Sequence, residues 1–189
     1  MALVTDDFSL YHRLVPFFAK HHHAVLVLKP SEAVPASVRV LLGGPIIDPR
    51  SVALRDDLEA TLLACVTHLD RTPGATGYRC VVLGVDPGNV LGLAAVADGR
   101  TLLVAESLSP ESACERLAVW VSGLTADELR IQIGSGARPV GLDLIGRLRR
   151  RLPGIRLDLV AEHATTPVRP RTTSRHTDAA IQIALRSPA

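Results

Sequence analysis

Asp86 ends an apolar run, VVLGVD, and is followed by Pro87 and Gly88. A carboxylate at the end of a buried strand is costly unless it is paired or bound to a cation. Gly84, Gly88 and Gly92 surround it, and glycine permits a close backbone approach and a tight turn. The same Asp-Pro-Gly also reads as turn chemistry, with the aspartate capping its own backbone. Two further acids stand far along the chain. Glu162 follows the apolar run in LDLVAEHATTP. Asp178 lies in SRHTDAAIQIALR, ahead of Ile181 and Leu185 at helical spacing, on or beside the buried face of that helix. An acid there is also favoured by the helix macrodipole alone. Acids gathered from these three segments would repel one another, so a site built from them implies bound divalent cations.

Other residues point to anions. The loop Gly134-Ser135-Gly136, ahead of a helix starting near Arg138-Pro139, reads either as a phosphate cradle of backbone N–H groups or as an ordinary strand-to-helix turn. The chain as a whole carries +2, but from Arg138 onward ten arginines face four acids, a net +6. Arginine forks match phosphate geometry, so Ser135, Arg138, Arg147, Arg151, Arg171 and Arg175 are the expected nucleic-acid contacts. The same charge also reads as a solvated surface in a chain that prefers Arg, its only lysines being Lys20 and Lys29. His21-His22-His23 do not share a helical face and read as a helix end where cations are favoured. Asp6-Asp7 follow a strand, where α/β proteins bind ligands, and read better as a helix cap. Cys65, Cys80 and Cys114 show no CxxC or CxH spacing, which argues against a disulfide framework or a zinc site.

The elements that must position these residues fall on either side of RTPGATGY, residues 71–78, which reads as a linker between domains 1–70 and 79–189. The chain has 189 residues, 47% of them hydrophobic, enough for a real core. In the first part, strands are expected at 2–5, 24–28 and 38–42. Helices are expected at 8–20, capped by Asp7 and weakened by Pro16, and at 50–69. This is a small parallel sheet of about three strands with helices packed on it. In the second part, strands are expected at 79–86, 91–97 and 100–106, the last two joined by an Asp98-Gly99 turn. A helix follows Ser109-Pro110 and stops at Gly123. Then come a strand at 129–133, a helix at 139–152, a strand at 155–161 and a helix at 174–186. No segment approaches a membrane span and no signal peptide is visible, so a cytoplasmic protein without a membrane role is expected.

Three hairpin-joined strands followed by α-β-α-β-α is the element order of the ribonuclease-H-like fold. The segment GVDPGNVLGLAAV resembles the first motif of RuvC-type Holliday-junction resolvases. EHATT and RHTDAAIQIAL resemble the later motifs of the related YqgF family. The resemblance covers essentially all of 79–189 in motif order. It implies a mixed five-stranded ribonuclease-H-like sheet with helices, preceded by the small parallel α/β domain. It also implies metal-dependent hydrolysis of phosphodiester bonds in structured DNA or RNA, with Mg²⁺ or Mn²⁺ activating water and stabilising the leaving oxygen. Asp86 would be the shared ligand, Glu162 and Asp178 its flanking ligands, and His176 a group that orients water or contacts the scissile phosphate. Relatives of this kind imply a two-fold homodimer. This sequence departs from the RuvC pattern in having no acid after the fourth strand, and from the YqgF pattern in placing His163 where an arginine is usual. His176 stands one residue closer to its acid than in RuvC-type enzymes. A non-catalytic nucleic-acid-binding module with the same fold is the alternative. A sugar-kinase or actin-like ATPase needs two such domains around its nucleotide, and a dinucleotide enzyme needs a GxGxxG that is absent.

Overall fold

A computed structural model describes residues 1–43, 47–71, 75–136, 138–161 and 174–186. Contacts group the chain into two units, Met1–Ala75 with Gly123–Thr125, and Thr76–Ser122 with Ala126–Ala189.

In the first unit, short apolar runs form β1 (Ala2–Val4), β2 (Leu26–Leu28), β3 (Leu41–Leu42) and β4 (Ser51–Val52). They make a parallel sheet in the order β2-β1-β3-β4. Ala2, Leu28, Val38 and Leu41 pack together in its core. Helix α1 (Phe8–Lys20) begins where the Asp7 carboxylate accepts the N–H groups of Ser9 and Leu10, at 2.8 and 3.3 Å. It runs unbroken through Pro16. It ends at His21, with His22 in the left-handed region at φ 62°. Burial, and then the charge of Lys20, pushes the His21 pKa down. Burial likewise lowers that of His23. Both shifts favour the neutral ring, and the histidines stand at the helix end as the sequence suggests. One correction concerns residues 50–57. The Asp57 carboxylate accepts from Glu59 and Ala60 N–H at 2.7 and 3.2 Å, so α2 (Leu58–Asp70) starts at Leu58. The freed Ser51 and Val52 pair with Leu41 and Leu42, giving four strands where about three were expected.

In the second unit, β5 (Tyr78–Asp86), β6 (Leu91–Ala97) and β7 (Arg100–Ser107) form an antiparallel meander. Asp98 and Gly99 turn the β6–β7 hairpin with φ of 46° and 82°, the left-handed pair that suits the right-handed twist of the strands. The Asp98 carboxylate also receives the Cys80 N–H at 2.9 Å, tying the turn to β5. Helix α3 (Pro110–Gly123), β8 (Ala126–Gly134), α4 (Arg138–Arg151), β9 (Arg156–Val160) and α5 (Arg175–Leu185) follow. The five strands form one mixed sheet, β7-β6-β5-β8-β9, with β5, β8 and β9 parallel. The chain is thus an α/β protein with one parallel and one mixed sheet.

The period-two alternation of strands divides this mixed sheet into two faces. On one, α5 packs Ala180, Ile181 and Ala184 against Val82, Ala94, Val96 and Val104. On the other lie Leu83, Val85, Leu93, Ile131 and Ile133, all fully buried. Helix α4 covers this second face, since Gly141 stands against Ile133 and Pro87. Helix α3 runs beside α4, the two lining a shared groove, and buries Ala113, Leu117 and Trp120 completely. Among the described residues no helix is long and apolar enough to cross a membrane.

Candidate functional site at the carboxyl end of β5

Asp86 is the last residue of β5, the middle strand of the mixed sheet. It falls two residues after Gly84, so it shares the face that α5 covers. The helix reaches this strand end because two glycines leave room for it. A Cβ at Gly84 would lie 2.1 Å from the Ala180 carbonyl oxygen. A Cβ at Gly92 would lie 1.9 Å from that of His176. Helix and sheet are therefore in backbone contact at these two points. The glycine-rich setting of Asp86 serves this contact first.

Ser174 caps α5, its hydroxyl oxygen accepting the His176 N–H at 3.2 Å. This start brings the His176 ring to Asp86, with Nδ1 3.6 Å from Oδ2. Both side chains are mostly buried, 24% and 19% exposed. A mostly buried carboxylate beside an imidazole can present its oxygens to a cation. Asp178 lies in the same first turn, its N–H donating to the Ser174 carbonyl at 3.1 Å. It is partly buried and sits about 200° further round the helix than His176. Among the described residues no three His, Cys, Asp or Glu side chains gather closely enough to hold a metal. Glu162, His163 and Arg171 lie outside the described residues.

The expected anion contacts are dispersed. Ser135 follows β8, and its backbone N–H donates to Val160 at 3.0 Å, so that donor is already occupied. Arg138 opens α4. Arg147 pairs with Asp143 on the same helix at 3.1 Å. With Arg150, Arg151, Glu111, Cys114 and Glu115 it lines the α3–α4 groove, of about 310 Å³. That groove is on the opposite face of the sheet from Asp86. Arg175 is exposed and adjoins His176 in the first turn of α5, on the Asp86 face.

One acid at this edge escaped the sequence. Glu106, near the end of β7, pairs with Gly92, which pairs with Asp86. The three stand in one row on the α5 face, and the Ser174 hydroxyl donates to Glu106 Oε1. Counting back from the two-residue hairpin would set Ala105 opposite Gly92. A register shift at Ala95/Val96 advances the pairing by one, which turns Glu106 to this face.

No protein-family model matches the chain, and no curated protein matches its sequence.

Proposed function

We propose that the second unit is a ribonuclease-H-like, metal-dependent nuclease of the RuvC/YqgF kind, cleaving phosphodiester bonds in structured DNA or RNA. The observation that carries the reading is Asp86 at the carboxyl end of the middle strand, facing His176 in the first turn of a helix laid directly over it. The sheet order, with β5 between β6 and β8 and α5 over β5 and β6, is consistent with such a fold. The donor chemistry fits a hard or borderline cation: a carboxylate suits Mg²⁺, and a carboxylate beside an imidazole suits Mn²⁺. Asp86 would hold it; Glu162 and Asp178 are the flanking carboxylates that the resemblance implies, and Asp178 stands about 200° round α5 from the His176 that faces Asp86. When bound, Mg²⁺ or Mn²⁺ supplies an activated water and neutralises charge at the phosphate.

The chain's own groups do the rest. His176 faces the Asp86 carboxylate, with Nδ1 3.6 Å from Oδ2. Close backbone packing at Gly84 and Gly92 holds the helix against the strands beneath the site. Arg175, exposed beside His176, would meet a phosphate on the same face. A two-fold homodimer in the cytoplasm is the proposed setting.

A second reading, a nucleic-acid-binding module without catalysis, is favoured by one feature. Gly134 ends β8, next to β5 at the Asp86 edge, and offers no side chain there.

A cleavage panel with Mg²⁺ or Mn²⁺ separates the two readings. Its substrates are four-way junction, duplex, single-stranded DNA, RNA and hybrid. Wild type is expected to cut at least one, and Asp86→Asn to cut none while retaining the wild-type circular dichroism. Cleavage that survives Asp86→Asn sinks the metal site. Salt-sensitive binding without cleavage on any substrate selects the binding module.

A further inference from the structure

Asp86, Gly92 and Glu106 occupy one row across β5, β6 and β7. The first turn of α5 fills the space above Gly92, where a Cβ would meet the His176 carbonyl at 1.9 Å. The two acids therefore flank the start of the helix, and each engages a different residue of it. Asp86 faces His176. Glu106 accepts the hydroxyl of Ser174, the cap residue. That hydroxyl oxygen in turn accepts the His176 N–H. Donation to a carboxylate makes the oxygen a better acceptor, so one acid strengthens the cap that orients the other acid's partner. Glu106 is itself fixed from the opposite face: Arg116 of α3 donates to its carbonyl at 2.9 Å. The end of β7 thus ties α3 to α5 at the edge where Asp86 lies.

We propose that Glu106 is a positioning residue for the Asp86 site, holding the first turn of α5 by its cap so that His176 and Asp178 keep their places when a cation engages Asp86. Its consequence for cation binding rests on the reading of Asp86 as a metal ligand; its hold on α5 does not. A cation at Asp86 competes with His176 for the same carboxylate. The Glu106–Ser174 bond stands two strands away, across β6, and is untouched by that competition.

The test uses the full chain and its Glu106→Ala, Glu106→Gln and Ser174→Ala variants. Amide hydrogen exchange in residues 174–180 is measured without metal, and Mn²⁺ affinity by calorimetry. Loss of one charge-assisted hydrogen bond is expected to speed first-turn exchange about tenfold in Glu106→Ala, and to weaken Mn²⁺ binding by about the same factor. Glu106→Gln, whose amide oxygen still accepts the Ser174 hydroxyl, is expected to restore both. Ser174→Ala approaches the same bond from the helix side and is expected to match or exceed Glu106→Ala. Unchanged exchange in Glu106→Ala overturns the proposal. So does a Gln variant with restored exchange but weakened Mn²⁺ binding, which would assign Glu106 to the cation through its charge. A wild type that binds no Mn²⁺, alongside a loosened α5 in Glu106→Ala, supports the positioning role and overturns the metal reading instead.

Discussion

Gly92 shows how little tolerance the site has at the level of single residues. Its missing side chain is the space in which the His176 carbonyl sits, so the smallest possible addition must displace α5 or β6. Gly92→Ala is expected to cost about 3 kcal/mol, at the upper end for inserting a methyl group into a packed contact. The thermal midpoint of the second unit should fall by roughly 10–20 °C. Calorimetry on the purified variant checks this, and a midpoint within a degree or two of wild type would mean that the helix–sheet contact is soft. The sequence showed glycines around Asp86 and the need for a close approach. It did not show which backbone approaches. That knowledge requires the packing of α5, some ninety residues downstream.

Helix α4 shows the opposite case at the level of the element. Gly146 lies within it, and a Cβ there would have only the Arg150 guanidinium near, at 3.8 Å. Glycine in a helix interior loses backbone entropy on folding with no packing reason here to keep it. Gly146→Ala is therefore expected to stabilise the protein by about 0.5–1 kcal/mol, read as a raised denaturation midpoint at unchanged slope. A lowered midpoint would reveal a neighbour that the helix surface does not show. The other elements follow from equally local causes. Asp7, Asp57 and Ser174 each cap a helix at its first residue. Asp57 also explains the most misplaced boundary, the start of α2. Leu54, Leu58, Leu62 and Val66 keep the helical period, but the cap at Asp57 starts the helix only at Leu58 and releases Ser51–Val52 to the sheet.

Across the whole molecule, the basic charge of the last third is divided between two faces of the mixed sheet. Arg147 and Arg151 line the α3–α4 groove, while Arg175 stands with His176 on the Asp86 side. Each phosphate contact contributes about −0.9 to the slope of log affinity against log salt. Replacing Arg147 and Arg151 by Ala together is expected to weaken nucleic-acid binding and flatten that slope by about 2. Cleavage at saturating substrate should hardly change, because neither residue shares the Asp86 face. An unchanged slope would make both arginines plain surface, with Asp143 as partner enough for Arg147.

What the sequence determined by itself was what short-range physics controls. Strand and helix periods, the Asp98-Gly99 turn and the cap residues put the eight elements of the second unit in order. They also marked the ends of β5 and the start of α5, where Asp86, His176 and Asp178 lie. The tertiary structure alone decided which of these meet. His176 reaches Asp86 because α5 lies on two glycines, a long-range contact that no window of sequence contains. Glu106 joins the same edge because one irregular step at Ala95/Val96 shifts the β6–β7 register. Alternation in a strand has period two, so a single-residue shift reverses the face of every residue beyond it. An error of one in counting from the hairpin was enough to hide that acid from the sequence and to turn it, in the folded chain, toward the helix.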